Sequence, residues 1–328
     1  MIEFFATVDS DSIRPYMPGG VSYLLPASSW ARPLAKAGYA EDGAGLFRDG
    51  IPPVVGLPPR VRRVAADCGG FVATFKWGGF PYWSNQYVAW CETIGEPLAW
   101  AAMIDLCCEE ELTSTAAGTI GVYDRQQETT RLAVLFWEQY MSVPWTWVPT
   151  LQGWCIQDYV RHAEMMAPLI RQMQSYYHER PGIEADDESD YGYPGYRDRI
   201  ERNASDFRVG IGTLCRRASP DLIRKIVAAV SEVLPGIPLH LWGVKLAGLT
   251  GKDLPSAVVS VDSAAWNQRF GSNIDEHERE KVAIYRQTGH VPTQREYGYR
   301  YTLPRYLDRF EQQINGRRHG RIVSKPRG

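Results

Sequence analysis

Asp67-Cys68-Gly69-Gly70-Phe71 follows directly on the strand-like run Val61 to Ala66, so that a carboxylate stands where a strand ends. The two glycines let the backbone pass close to a flat ligand. Taken alone, the stretch reads more readily as a turn capped by its own aspartate. It is not alone: Asp105, Gln152 and Asp262 each stand at the end of another strand-like run, and that repetition is what the fold has to explain.

Eight such runs recur along the chain: Ile2 to Val8, Val21 to Pro26, Val61 to Ala66, Leu98 to Ile104, Trp145 to Leu151, Phe207 to Gly212, Leu239 to Val244 and Ala257 to Val261. They are apolar with little alternation, the pattern of parallel strands covered on both faces. Helical patterns lie between them. The clearest runs from Pro220 to Leu234, with Ser219 as N-cap, Pro220 at the first helical position and Pro235-Gly236 as the stop. A second, about Gln157 to His178, carries Tyr159, Met166, Ile170, Met173 and Tyr177 on one face, a stripe that reads as core packing. A third spans about Thr119 to Tyr140, whereas Trp30 to Arg60, rich in Gly and Pro, reads as a long loop over one end of the molecule.

Eight strand-then-helix units predict a (β/α)₈ TIM barrel, an α/β fold, over residues 1–270 with insertions, followed by a C-terminal helical extension with a basic tail over 271–328. The extension contains helical patterns at about Asp275 to Gln287 and Leu303 to Ile314. Pro181 to Tyr196, with the acidic cluster Glu184 to Asp190, reads as a surface insertion. In barrels of this class the chemistry sits at the C-terminal ends of the strands.

With 328 residues, 44% hydrophobic and 23% charged, the chain has material for a full core. No apolar run reaches the roughly 18 residues of a membrane span, and Met1-Ile2-Glu3-Phe4 does not open a signal-type segment, so the expectation is a cytoplasmic protein without membrane contact. Six scattered cysteines without a Cys-x-x-Cys pair suit reduced thiols, with the adjacent Cys107 and Cys108 as buried fillers. The formal charge of −2 conceals a basic tail with Arg317, Arg318, Arg321, Lys325 and Arg327, which reads either as a phosphate contact or as a solvated terminus.

Three carboxylates at one barrel mouth repel one another, so at least one is expected to have a raised pKa unless a cation or a donor-rich ligand lies between them. Guanine-like bases are such ligands: their N1–H and 2-amino edge gives two donors to a carboxylate, and O6 accepts from an amide such as that of Gln152 or from backbone N–H groups near Gly153 and Gly212.

Asp67-Cys68-Gly69-Gly70-Phe71, Asp105 with Cys108, Leu151-Gln152-Gly153 and the Asp262 strand end resemble, in order and spacing, the signature positions of tRNA-guanine transglycosylases. The resemblance is closer to the relatives that act on DNA, the DNA 7-deazaguanine transglycosylase (DpdA-like) family of bacteria and their phages. It is carried by Trp100-Ala101-Ala102, Pro149-Thr150-Leu151-Gln152-Gly153-Trp154 with Tyr159 and Arg161, the run Val209 to Arg217, Gly243-Val244-Lys245 and the run Asp262 to Trp266. These motifs cover most of the chain from Arg62 to Trp266.

The resemblance implies a pentosyltransferase that exchanges guanine in DNA for a free 7-deazaguanine, such as 7-cyano-7-deazaguanine, without a cofactor. It implies that Asp262 is the nucleophile that forms a covalent glycosyl-enzyme and that Asp67 is the general acid/base. Asp105 and Gln152 would read the base edge, and Gly153, Gly212 and Thr213 would add backbone contacts, with Cys68, Gly69 and Gly70 beside the base. The tRNA enzymes carry a zinc site of three cysteines and a histidine after the nucleophile strand. No cysteine follows Cys215 here, so that site cannot form, no structural zinc is expected, and exchange on tRNA is disfavoured. Cys68 stands where a serine is usual, and Thr213 stands where the tRNA enzymes have a second glycine.

The remaining candidates keep two readings each. Arg216-Arg217 at a strand mouth could hold a phosphate or pair with a rim acid. Trp77, Tyr82 and Trp83 could stack on bases, or pack as some of the eleven tryptophans must. His162 and His178 read as surface or helix-end residues, and His240 as a satisfied core histidine. A barrel that binds a nucleobase or nucleic acid without catalysis, and an unrelated glycoside hydrolase, are the rival functions. The second gives no reason for the Gln-Gly and double-glycine motifs.

Overall fold

The structure is a computed structural model, and it describes residues 1–8, 17–35, 51–54, 57, 60–77, 79–80, 82–113, 121–179, 205–215, 219–250, 254–265 and 274–316. The insertion at 181–196, the pair Arg216-Arg217 and the tail arginines 317, 318 and 321 lie outside the described residues.

Among the described residues, nine parallel strands form one curled sheet: β1 (Glu3–Thr7), β2 (Ser22–Pro26), β3 (Arg63–Asp67), β4 (Leu98–Ala102), β5 (Thr146–Val148), β6 (Thr150–Leu151), β7 (Val209–Ile211), β8 (Leu239–Leu241) and β9 (Val258–Ser263). Their spatial order is β5-β4-β3-β2-β1-β9-β8-β7-β6. The count differs from the expected eight because the run at 145–151 is broken at Pro149, which has no N–H to donate to a ladder. The two pieces form the two edges of the sheet. Val148 accepts from the N–H of Met103 on the β4 side at 2.9 Å, and Pro149 accepts from Gly210 on the β7 side at 2.9 Å. One chain segment thus joins both edges, and the result is a TIM-barrel-like α/β fold.

Of the eight described helices of eight or more residues, five match their sequence patterns, and three, at 27–35, 70–77 and 84–94, fall where no helical pattern is marked. The eight are α1 (Ala27–Ala35), α2 (Gly70–Trp77), α3 (Ser84–Ile94), α4 (Val122–Tyr140), α5 (Ile156–Glu179), α6 (Pro220–Val233), α7 (Ile274–Thr288) and α8 (Leu303–Phe310). At the start of α6 the Ser219 hydroxyl accepts from Leu222 N–H at 3.3 Å, while Ile223, Ile226, Val227 and Val230 bury one stripe against the sheet. The expected loop at 30–60 begins instead with the end of α1, and residues 36–50 lie outside the described set. Among the described residues no helix is long and apolar enough to cross a membrane.

The strands alternate more than their composition suggests. On β1, Phe4 and Ala6 face the helices while Glu3, Phe5 and Thr7 point into the barrel; on β3, Val64 and Ala66 face out and Arg63, Ala65 and Asp67 face in. This period of two is intrinsic to a strand. The barrel interior is therefore layered. Glu3, Arg63, Asp206 and Arg208 form an ionic floor, Phe5, Leu24, Ala65, Trp100 and Val148 form an apolar middle, and the acids at the strand ends form the top.

The segment 303–315 lies against the outer face of β1. Phe4 packs on Tyr306 and Phe310 at ring-centre distances of 5.3 and 5.1 Å. The Asn315 carboxamide accepts from Ile2 N–H at 2.7 Å and donates to Ile2 C=O at 3.1 Å, as a neighbouring strand would.

Candidate active site

Because all nine strands are parallel, their C-terminal ends meet at one rim, and a cavity of about 490 Å³ opens there. Asp67, Asp105, Gln152, Gly212, Thr213 and Asp262 all line it, with Gly69 and Gly70. The volume falls in the usual range for small-molecule sites, about 300–1,000 Å³.

Asp67 ends β3, and its Oδ1 accepts from Gly69 N–H at 3.0 Å. Gly69 has φ +74°, a left-handed conformation that favours glycine, and a Cβ there would lie 2.7 Å from Ser28 Cβ. Removal from water raises the Asp67 carboxyl from 3.8 to about 7; the Gly69 bond opposes this, and the charges of Asp105 and Asp262 add to it. Mutual repulsion thus acts in the expected direction, but burial is the larger cause.

Asp105 lies three residues past the end of β4 and is buried. Its Oδ1 accepts from the Cys68 thiol at 3.0 Å, and its Oδ2 accepts from Gln152 Nε2. Burial raises its pKa, and those two bonds oppose the rise. Cys68 itself lies beneath the cavity without lining it, and burial pushes its thiol well up.

Gln152 is held at every polar atom. The Thr213 hydroxyl donates to its Oε1 at 2.6 Å, its backbone N–H donates to His162 Nδ1 at 2.8 Å, and its carbonyl accepts from Gln126 Nε2 at 2.6 Å. Those bonds fix the flip of the carboxamide, with the amine toward Asp105 and the oxygen toward Thr213. Thr213 adopts φ 55°, unusual for a β-branched residue and costing about 1–3 kcal/mol. Gly212 is equally constrained: its carbonyl accepts from Tyr159 OH at 2.8 Å, and a Cβ would fall 2.3 Å from Gln152 Nε2.

Asp262 lies within β9, one residue before its end, and is 4% exposed. Its Oδ1 accepts from Gly243 N–H at 2.7 Å and faces His240 Nε2 at 3.3 Å; its Oδ2 accepts from the Thr7 hydroxyl at 2.9 Å.

Several sequence readings change. Gly153 packs against Asp158 and Tyr159, where a Cβ would lie 2.9 Å from Asp158 Cβ, and it does not line the cavity. His162 is not a surface residue: it is fully buried, burial lowers its pKa to about 4, and it holds the backbone of Gln152. His240 is a core histidine, as expected, but its partner is Asp262. Tyr82 cannot stack on a base, because it is buried with its hydroxyl on the Cys68 carbonyl, whereas Trp83 is 74% exposed. Thr7, His162 and His240 were missed as site residues. The parity of inward positions along each strand was the signal that could have found Thr7 and His240.

No curated protein matches the sequence. Among solved structures, a 2,3-dimethylmalate lyase of the PEP mutase/isocitrate lyase superfamily is 12% identical, with a TM-score of 0.35 over 94% of this chain and 87% of that one. An oxaloacetate acetylhydrolase in complex with oxalate is 13% identical, with a TM-score of 0.38 over 94% and 92%. Likenesses that slight carry no argument. The family described as DpdA, DeoxyPurine in DNA protein A, matches residues 51–171 and 201–276, a span that contains all three acids, Gln152 and the Gly212-Thr213 turn. The chain belongs to the DpdA family, DeoxyPurine in DNA protein A, and with it to the transglycosylases that modify DNA.

Proposed function

We propose that this protein exchanges guanine in DNA for a free 7-deazaguanine, such as 7-cyano-7-deazaguanine, through a glycosyl ester on Asp262. The observation that carries the reading is the convergence of Asp67, Asp105, Gln152 and Asp262, from four different strands, on one cavity at the C-terminal rim.

In the first half-reaction Asp262 attacks C1′ of the target nucleoside, and the C1′–N9 bond breaks with its electron pair going to guanine, which takes the proton of Asp67. Of the two carboxylate oxygens, Oδ2 is the freer to attack, since among the described residues its hydrogen-bond donor is Thr7 alone, while Oδ1 faces two donors. In the second half-reaction the incoming base gives its N9 proton to Asp67 and attacks C1′, and the ester bond breaks back to the Asp262 carboxylate. Asp105 and Gln152 read the base edge with backbone groups at Gly212 and Thr213. Arg216, Arg217 and the tail arginines at 317, 318 and 321 supply phosphate contacts in this reading. The target nucleoside has to leave the stack to reach a cavity at the barrel rim, as other enzymes that act on bases require.

The test is incubation with DNA and, separately, tRNA carrying labelled guanine, with a 7-deazaguanine added. Label released from DNA alone supports the reading; release from tRNA alone overturns it.

A carboxyl titrating at about 7 has to be protonated for guanine departure and ionised for capture of the new base. In single-turnover mixing, guanine release is expected to fall as pH rises through about 7, and base capture by the preformed adduct to fall as pH drops through about 7. Opposite slopes on the two half-reactions are the expected result, and parallel slopes would remove Asp67 from the shared role.

Gly212→Ala directs a methyl group into a carboxamide that Asp105 and Thr213 prevent from yielding. The KM for the incoming base is expected to rise about 10–100-fold, the equivalent of one or two lost buried hydrogen bonds, with adduct formation on Asp262 retained. Steady-state kinetics over a range of base concentrations checks it.

A further inference from the structure

Behind Asp262 a line of buried polar groups crosses the apolar middle of the barrel. Arg208 Nη1 donates to Ser260 Oγ at 2.8 Å, Ser260 Oγ lies 2.9 Å from His240 Nδ1, and His240 Nε2 lies 3.3 Å from Asp262 Oδ1. All four residues are buried, and the imidazole is walled by Trp242, Trp100 and Phe5 at ring-centre distances of 4.4, 4.9 and 6.2 Å.

The direction of every bond in this line follows from its two ends. A guanidinium only donates, so Ser260 accepts at one side. An ionised carboxylate only accepts, so His240 Nε2 carries a hydrogen toward Asp262. Burial lowers the His240 pKa against the opposing pull of Asp262 and so favours the neutral ring, which has one hydrogen to place. Nδ1 is then the acceptor, and the Ser260 hydroxyl donates a hydrogen bond to it. Donation runs one way, Arg208 to Ser260 to His240 to Asp262.

We propose that His240 is a positioning residue for the nucleophile, locked by Ser260 and Arg208 in the Nε2–H tautomer, and that its chief effect is on release of the sugar from Asp262. The inference rests on the reading of Asp262 as nucleophile. In the ester, Oδ2 is bonded to C1′ and Oδ1 is the carbonyl oxygen, still facing Gly243 N–H and His240 Nε2–H. When the incoming N9 attacks C1′, the C1′–Oδ2 bond breaks with its electron pair going to the carboxylate. Negative charge returns to a group that two fixed donors are aimed at, as in an oxyanion hole. The same donors oppose loss of that charge in the forward attack. Removing one therefore slows breakdown of the adduct more than its formation.

His240→Leu and His240→Gln separate this from a packing role, since the glutamine amide can reach Asp262 as a donor and leucine cannot. With His240→Leu, kcat for exchange is expected to fall roughly 10–100-fold, with KM for DNA within about 3-fold, while the fraction of enzyme trapped as adduct at steady state rises. His240→Gln is expected to stay near the parent on both counts. Adduct falling in parallel with kcat, or the two variants behaving alike, overturns the proposal. The ¹⁵N spectrum of the imidazole in the unmodified protein gives a second readout that needs no activity. The Nε2–H pattern is expected, with its loss in Ser260→Ala, and an Nδ1–H pattern in the unmodified protein overturns the tautomer lock. If the unmodified protein forms no adduct at all, it is the exchange reading that fails, and the nitrogen spectrum still decides the relay.

Discussion

Asp262→Asn is expected to leave a folded barrel that forms no covalent species with DNA and whose exchange rate is lower by on the order of 10⁴-fold or more. Asparagine keeps the shape of the side chain and can still accept, through its oxygen, from Gly243 and His240, so the surrounding geometry is retained. What is lost is the anionic oxygen beside Thr7, the one that attacks C1′ in the proposed mechanism. Denaturing gels of enzyme incubated with labelled DNA read the adduct directly. A band that survives the substitution would transfer the role to another acid at the rim, of which Asp67 and Asp105 are the candidates.

Asp67→Asn is expected to cost about 10²–10⁴-fold in exchange, the usual span for loss of a general acid/base, and to flatten the opposed pH slopes of the two half-reactions. A stability change accompanies it, and its sign is informative. The carboxyl titrates near 3.8 in an unfolded chain and at about 7 in the folded one, so folding disfavours the ionised form. The cost is absent below pH 3.8, grows between 3.8 and about 7, and is constant above. Asparagine carries no such cost. The variant is expected to melt higher than the parent at pH 8, by on the order of a few kcal/mol of stability, and at the same temperature near pH 3.5. Calorimetry at the two pH values checks it, and equal shifts at both would mean that the carboxyl is ionised without penalty.

Most of the barrel and its rim could be read from the sequence because the strand runs are short and separated by clear helices, as in Ser219-Pro220 to Pro235-Gly236 around α6. Asp67, Gln152 and Asp262 stood out for the same reason: each interrupts or ends an apolar run. The support beneath them did not stand out. His240, Ser260 and Arg208 lie inside runs read as uniformly apolar, and only the two-residue alternation of β8 and β9 separates their inward side from Leu239, Leu241 and Val261. His162 was harder still. It sits on α5 among helix-face residues, and its partner is a backbone group, Gln152 N–H, which no side-chain pattern marks. Gly153 erred in the opposite direction. A glycine beside a reading residue suggests room for a ligand, but this one makes room for the first turn of a helix.

The break at Pro149 makes the two sides of the rim differ in how they are laddered. Asp262, the proposed nucleophile, rests on β9, which is laddered to a neighbour on both sides, whereas Gln152 follows a seam at which each short piece has, among the described residues, a partner on a single side. A slight widening of that seam moves the amide proposed to select the base more than the acid proposed to form the bond. Under the proposed function, residues along the seam are then the ones through which the choice of modified purine can change while the acid that cuts and rejoins the glycosidic link stays as it was.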